Sequence, residues 1–160
     1  MSKTKIGING FGRIGRNAFK LAYERDDLEV VAVNDLTDTK TLAYLLKHDS
    51  NYGTYHNEVS YDNDGIIVNG EHIKVIAQKD PAQLPWRELG IDVVIESTGR
   101  FTDKESAESH LKAGAKKVVI SGPTKSEGVD TIIFGANEDK LETASDIISN
   151  ASCTTNSLGA

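Results

Sequence analysis

The sequence predicts an α/β protein: a doubly wound, mostly parallel sheet carrying an antiparallel hairpin insertion. Three observations lead there. Short apolar runs alternate with stretches of helical spacing along the chain. The first run ends in glycines spaced G-x-G-x-x-G, at Gly10, Gly12 and Gly15. The second ends in an acid, Asp35, twenty residues after Gly15. Strand, tight turn, helix, strand and acid, in that order, make a Rossmann-type dinucleotide pattern.

Composition narrows the classes. A chain of 160 residues suits one domain with a substantial core. Its 38% hydrophobic and 26% charged content is that of an ordinary globular protein. The net charge of −6 disfavours non-specific nucleic-acid binding. No apolar run reaches membrane-spanning length, and Met1-Ser2-Lys3-Thr4-Lys5 lacks the apolar core of a signal peptide. The one cysteine, Cys153, excludes an internal disulfide and a multi-cysteine metal site, and fits a reducing cytoplasm. No nucleic-acid, membrane or metal partner is expected.

In chain order, Lys5 to Asn9 reads as a strand. Gly10 then permits the turn, Gly12 lets backbone approach a pyrophosphate, and Gly15 lets helix and strand pack closely. Ile14, Ala18, Leu21 and Ala22 recur at helical intervals, and the N-terminus of that helix favours an anion. Leu28 to Asp35 is a buried strand. An isolated aspartate at its end would read as a cap or turn residue. In this order of elements Asp35 is placed to accept from the adenosine ribose hydroxyls and to repel a 2′-phosphate, which favours NAD over NADP. Thr41 to Leu46 reads as a helix with Asp38 or Thr39 as cap.

From Val59 to Ala77 the pattern changes to short strands joined at Asp62-Asn63-Asp64-Gly65 and at Asn69-Gly70, a type I′ hairpin signal. It reads as an antiparallel excursion that decorates the fold. Pro81 and Pro85 bracket a short irregular or helical stretch. Ile91 to Glu96 is another buried strand, running into Ser97-Thr98-Gly99, small polar residues suited to close passage of a ligand. A helix capped by Thr102 or Asp103 runs to about Ala113, with Gly114 to stop it. Lys116 to Ser121, Thr131 to Phe134 and Asp146 to Ser149 read as further strands.

The chain closes on Ser149-Asn150-Ala151-Ser152-Cys153-Thr154-Thr155-Asn156. A strand delivers Cys153 to a helix N-terminus, whose N–H groups favour a thiolate and an oxyanion formed beside it. The hydroxyls of Ser152, Thr154 and Thr155 are poor surroundings for an inert core cysteine, so Cys153 is a candidate nucleophile.

Taken together, Gly7 to Arg16, Asn34-Asp35-Leu36, Glu96 to Gly99 and Ala151 to Asn156 resemble the phosphorylating glyceraldehyde-3-phosphate dehydrogenase family, with the motifs in the family's order and spacing. The resemblance implies a Cys153 nucleophile that forms a hemithioacetal, then a thioester cleaved by inorganic phosphate. It implies substrate or phosphate contacts at Ser152 and Thr154. For the cofactor NAD it implies contacts at Asn9, Gly10, Gly12, Arg13, Ile14, Asp35, Lys79, Ser97, Thr98, Gly99, Phe101 and Ser121. It also implies a phosphorylated aldehyde substrate and a homotetrameric full-length enzyme. Arg100, Gly122 and Ser157 depart from frequent family residues, none at a position the chemistry uses.

Residues 1–150 are read as an NAD-binding domain and 151–160 as the start of a catalytic segment. The family's acid-base histidine lies downstream of the cysteine. His48, His56, His72 and His110 do not correspond to it, and each reads as a surface or loop residue. The chain is therefore expected to bind NAD without dehydrogenase turnover of its own. Two alternatives stand beside this reading: the same chemistry on erythrose 4-phosphate, or a stand-alone NAD-binding, redox-sensing module.

Overall fold

The computed structural model describes residues 2–159. β1 (Thr4–Asn9) leads through the glycine turn into α1 (Arg13–Tyr23), and β2 (Leu28–Asn34) follows. α2 (Thr39–Lys47) is capped by Asp38, whose side chain accepts from the Thr41 N–H. The two-residue strands β3 (His48–Asp49) and β4 (Gly53–Thr54) pair with each other outside the main sheet. β5 (Val59–Tyr61), β6 (Gly65–Val68) and β7 (Glu71–Ile76) come next, then a 3-10 turn at Pro81–Gln83 and the short α3 (Trp86–Leu89). β8 (Val93–Glu96) precedes α4 (Lys104–Lys112), which is capped by Asp103 through the Ser106 N–H and ended by Gly114 at φ 110°. β9 (Lys117–Ile120), β10 (Asp130–Thr131), β11 (Ile147–Ser149) and α5 (Cys153–Gly159) complete the chain.

The main sheet has nine strands in the order β10-β11-β9-β8-β1-β2-β7-β6-β5. Neighbours from β10 across to β7 run parallel, while β6 and β5 are antiparallel. The predicted doubly wound sheet is thus present, but the hairpin is more than decoration. Asn69 and Gly70 make the expected turn, at φ 48° and 85°. β7, its second arm, then pairs in parallel with β2 and becomes an interior strand of the sheet. Parallel strands continue on both sides of β1, so the chain's winding reverses between β1 and β8. Ligands of such sheets bind there, beyond the carboxyl ends of the strands.

One face of the sheet packs Phe11, Phe19, Leu42, Leu46 and Val68 beneath α1 and α2. The other packs Trp86, Leu84, Ile91 and Val94, with Val118, Ile120 and Ile147 against Ala107 of α4. The buried stripe of α1 differs from the sequence reading. Ala22 is buried as expected, but Ile14 and Leu21 are 53% and 69% exposed, and Gly15 and Phe19 are buried in their place. The two stripes share the same spacing and lie one residue, about 100°, apart. Gly15 decides between them, because a Cβ there would fall on the Gly10 carbonyl oxygen. Only the glycine face of the helix can come this close to the turn. Likewise the predicted Thr131–Phe134 strand overlaps β10 only at Thr131, which pairs together with Asp130; Ile132 is buried and Phe134 is 65% exposed.

Among the described residues no helix is long and apolar enough to cross a membrane.

Candidate functional site

At the reversal point the carboxyl ends of β1, β2 and β8 enclose an open cleft of about 590 Å³. Gly10 forms its floor at φ 91°, against the backbone of Thr98, where a Cβ would approach to 2.7 Å. Phe11 fastens the turn from below: its ring is buried edge-on against Phe19, at 5.6 Å between centroids. Gly12 is the N-cap of α1. It makes no side-chain cap, the first turn carries no acid, and a Cβ there would meet nothing within 4 Å. α2 and α4, by contrast, are closed by Asp38 and Asp103. Of these three helices, the one that starts at the cleft is left without a side-chain cap, so its first N–H groups are open to a ligand.

Asp35 is tied to the same turn. Its Oδ2 accepts from the Phe11 N–H at 2.8 Å and its Oδ1 from the Thr37 N–H at 3.0 Å. Each oxygen has a further lone pair to offer, and the residue lines the cleft. Of the predicted cofactor residues, Asn9, Gly10, Gly12, Asp35, Lys79, Ser97, Thr98 and Phe101 all line it. Arg13, Ile14, Gly99 and Ser121 stand outside that lining. The Arg13 guanidinium turns away to Asp49 at 3.5 Å. Asp49 is held below the usual carboxylate range by the N–H groups of Asn51 and Tyr52, with Arg13 adding to the effect. Ser121 continues β9, its N–H bonded to the Glu96 carbonyl. Asn34, Leu36, Gln78 and Arg100 also line the cleft and were not among the predicted contacts.

Beneath the cleft lies a polar network that sequence reasoning missed. His110 is not a surface histidine: it is fully buried, as is Glu96. α4 must present something to β8 and to Trp86, and at that position it presents the imidazole. The direction of every hydrogen bond follows from groups that have no choice. The Trp86 indole N–H can only donate, so His110 Nδ1 accepts it at 3.0 Å, and Nε2 carries the hydrogen given to Glu96 Oε2 at 2.8 Å. At the other end, the Gln78 N–H donates to Asn34 Oδ1 and the Gln78 carbonyl accepts from Asn34 Nδ2, both at 2.9 Å. That orients Asn34, which donates to Asn9 Oδ1, so Asn9 Nδ2 donates to Glu96 Oε2 at 2.6 Å. Thr98 gives its N–H, at 2.8 Å, and its hydroxyl to Glu96 Oε1. Four donors converge on one carboxylate. The 3.4 Å approach of Asn9 Nδ2 to His110 Nε2 sets two donors side by side on the same oxygen and is no bond between them.

The cysteine segment leaves the same edge of the sheet. After β11 the chain turns at Ala151, which is buried at φ 58°, a left-handed conformation uncommon outside glycine. Asn156 clamps this turn, donating to the carbonyls of Asn150 and Ser152 at 2.7 and 3.0 Å. Ser152 Oγ accepts from the Thr155 N–H at 3.0 Å and so caps α5. Cys153 is exposed at the first residue of that helix, with Thr154 exposed beside it. Strained non-glycine turns cluster where a side chain must be aimed. Among the described residues no group of His, Cys, Asp and Glu is arranged to hold a metal ion.

Residues 4–104 match the family model for the glyceraldehyde 3-phosphate dehydrogenase NAD binding domain. Glyceraldehyde-3-phosphate dehydrogenase 1 of Bacillus cereus is 57% identical over 156 residues, covering 97% of this chain and 46% of that protein. The Geobacillus stearothermophilus enzyme of the same name is 58% identical, and that of Thermotoga maritima 56%, each over 96% of this chain and 46% of the relative. The chain thus spans about half the length of the curated relatives it matches. A Rossmann-type sheet with its glycine turn, and a family match over most of the chain, place this protein in the glyceraldehyde-3-phosphate dehydrogenase family, as its NAD-binding domain.

Proposed function

We propose that the cleft at the ends of β1, β2 and β8 is where this domain holds NAD, and that Cys153 is the nucleophile of the full-length enzyme. The observation that carries the first part is the pairing of an uncapped α1 with Asp35 on the same turn. The backbone at Gly10, Gly12, Arg13 and Ile14 takes the pyrophosphate, where Gly12 leaves open space for it. Asp35 accepts from the adenosine ribose, Lys79 and Phe101 flank the adenine, and Asn9, Ser97, Thr98, Gly99 and Ser121 follow the cofactor toward the nicotinamide. Residues 1–150 form the cofactor domain in this reading, and 151–160 begin the catalytic segment.

At Cys153 the thiolate sulfur bonds to the aldehyde carbon. The resulting oxyanion sits near the first-turn N–H groups of α5 and takes a proton to give a hemithioacetal. NAD would supply the acceptor for the hydride that leaves this carbon, and the hydroxyl proton passes to the acid-base group of the full-length enzyme, which leaves a thioester. The thioester then loses its sulfur to an attacking phosphate oxygen, near the Ser152 and Thr154 hydroxyls, giving an acyl phosphate and the free thiolate. The substrate is glyceraldehyde 3-phosphate, in a cytoplasmic homotetramer.

Asp35→Ala tests the cleft. Calorimetric titration should show NAD affinity falling about tenfold, with NADP affinity falling less because a repulsion at its 2′-phosphate is lost. An unchanged ratio of NAD to NADP affinity would reject the assignment. For the nucleophile, Cys153 should be alkylated by iodoacetamide at pH 7 faster than free cysteine, as followed by mass spectrometry. A rate at or below that of free cysteine would count against it.

A further inference from the structure

We propose that Glu96, held by His110, is the positioning residue of the cofactor cleft, an inference that rests on reading this cleft as the NAD site. Asn9 and Thr98 both line the cleft, and both commit their donors to this one carboxylate. Neither has another strong acceptor holding the same group. Asn9 is also held through its Oδ1 by Asn34, so what the carboxylate plane sets is where the Asn9 amide N–H and the Thr98 hydroxyl point. Oε1 is set by Thr98, while Oε2 is set by Asn9 from one side and His110 from the other.

His110 in turn has no freedom. Its ring is fully buried, and the Trp86 N–H obliges Nδ1 to accept, which leaves the hydrogen on Nε2 aimed at Glu96. Without the Nε2 donor, Oε2 keeps only Asn9 and the carboxylate can rotate about its last torsion, carrying the Asn9 amide N–H and the Thr98 hydroxyl with it. A purely packing role for the imidazole would need neither nitrogen to be specific. The geometry uses both. Glu96 and His110 reach NAD only through Asn9 and Thr98, so they position and do not touch.

Two substitutions separate the halves of the imidazole. In His110→Gln the amide N–H takes the place of Nε2 and still donates to Glu96, while the acceptor for Trp86 is lost. In His110→Asn the amide oxygen takes the place of Nδ1 and satisfies Trp86, while Glu96 loses its donor. Calorimetry on this chain should show NAD Kd raised about tenfold in His110→Asn but within about threefold of the parent in His110→Gln. Equal losses in the two would overturn the proposal and make His110 a packing residue. Asp35→Ala is titrated alongside: if its NAD-to-NADP ratio is unchanged, the cleft assignment fails and takes the proposal with it, a different result from equal losses at position 110.

A measurement on the unsubstituted chain guards against variants that do not fold. Trp86 is the only tryptophan, so its indole N–H gives a single cross-peak in a 15N-edited spectrum. It is fully buried and does not line the cleft. Saturating NAD should shift this peak, because Asn9 and Thr98 draw on Glu96, and Glu96 on His110. A peak that stays in place at saturation would overturn the proposal.

Discussion

Glu96→Gln is expected to lower the stability of the domain by about 3 kcal/mol, a large share of the roughly 5–15 kcal/mol that holds such a domain together. Glutamine has nearly the volume of glutamate, so no cavity is made and the loss is one of hydrogen bonding alone. Every partner of the carboxylate donates. The glutamine amide N–H must then oppose a donor whichever way it is turned. Facing Oε1's partners it meets the Thr98 backbone N–H; facing Oε2's it meets Asn9 Nδ2 and His110 Nε2.

The network cannot invert to receive it. Asn34 is fixed by both polar groups of the Gln78 backbone and His110 by the Trp86 indole. A urea titration should show the midpoint falling with the slope unchanged. A loss below about 1 kcal/mol, the worth of one ordinary hydrogen bond, would mean that fewer donors meet on Glu96 than the geometry places there.

The three glycines of the turn should separate into two kinds when each is changed to alanine. Gly10→Ala places a Cβ 2.7 Å from the Thr98 nitrogen, on a backbone at φ 91° that side chains avoid. Gly15→Ala sets its methyl on the Gly10 carbonyl oxygen, and no rotamer relieves contact between a Cβ and backbone. Each is expected to cost about 3 kcal/mol, at the upper end for overpacking, and to abolish NAD binding. Gly12→Ala differs. Its backbone is extended, at φ −74° and ψ −160°, and the added methyl meets nothing. Stability should stay within about 0.5 kcal/mol, while NAD affinity falls because the methyl occupies the approach to the helix end. Thermal unfolding and calorimetry on the three variants give both readouts. Wild-type affinity in Gly12→Ala would place the pyrophosphate somewhere other than this turn.

How much of this could be read from the residues depends on the range over which each is determined. The glycine turn, the caps at Asp38 and Asp103, the Gly114 stop and the Asn69-Gly70 turn are set by local backbone chemistry, and each is legible in a few residues. The doubly wound sheet follows from their alternation. The buried stripe of α1 was less legible, because two stripes with the same period compete, and a contact across five residues, between Gly15 and the Gly10 carbonyl, decides. Burial of His110 was not legible at all. α4 reads Lys-Glu-Ser-Ala-Glu-Ser-His-Leu-Lys, with little apolar content, and the partners of the histidine come from β8 and α3. One signal did exist. Glu96 ends an apolar strand of a parallel sheet, buried on both faces, and a carboxylate in that position must find donors elsewhere in the chain. The helix that follows it offers His110. The cleft residues at Asn34 and Gln78 had no such marker, since an asparagine ending one strand and a glutamine after another meet only through the pairing of β2 with β7.

A buried histidine against a buried carboxylate, beneath the cleft proposed to hold NAD, invites comparison with a proton relay. The direction of the bonds rules this out. A relay needs at each station a group that can accept on one side as it releases on the other, and an outlet to water or substrate. Here the line from Trp86 ends at Glu96, and the line from Gln78 ends there too, every hydrogen already assigned. Moving a proton onto His110 Nδ1 would set it against the indole N–H. The line from the indole to Glu96 therefore passes no proton toward the cleft, because His110 would have to accept at the one nitrogen that already faces the indole N–H.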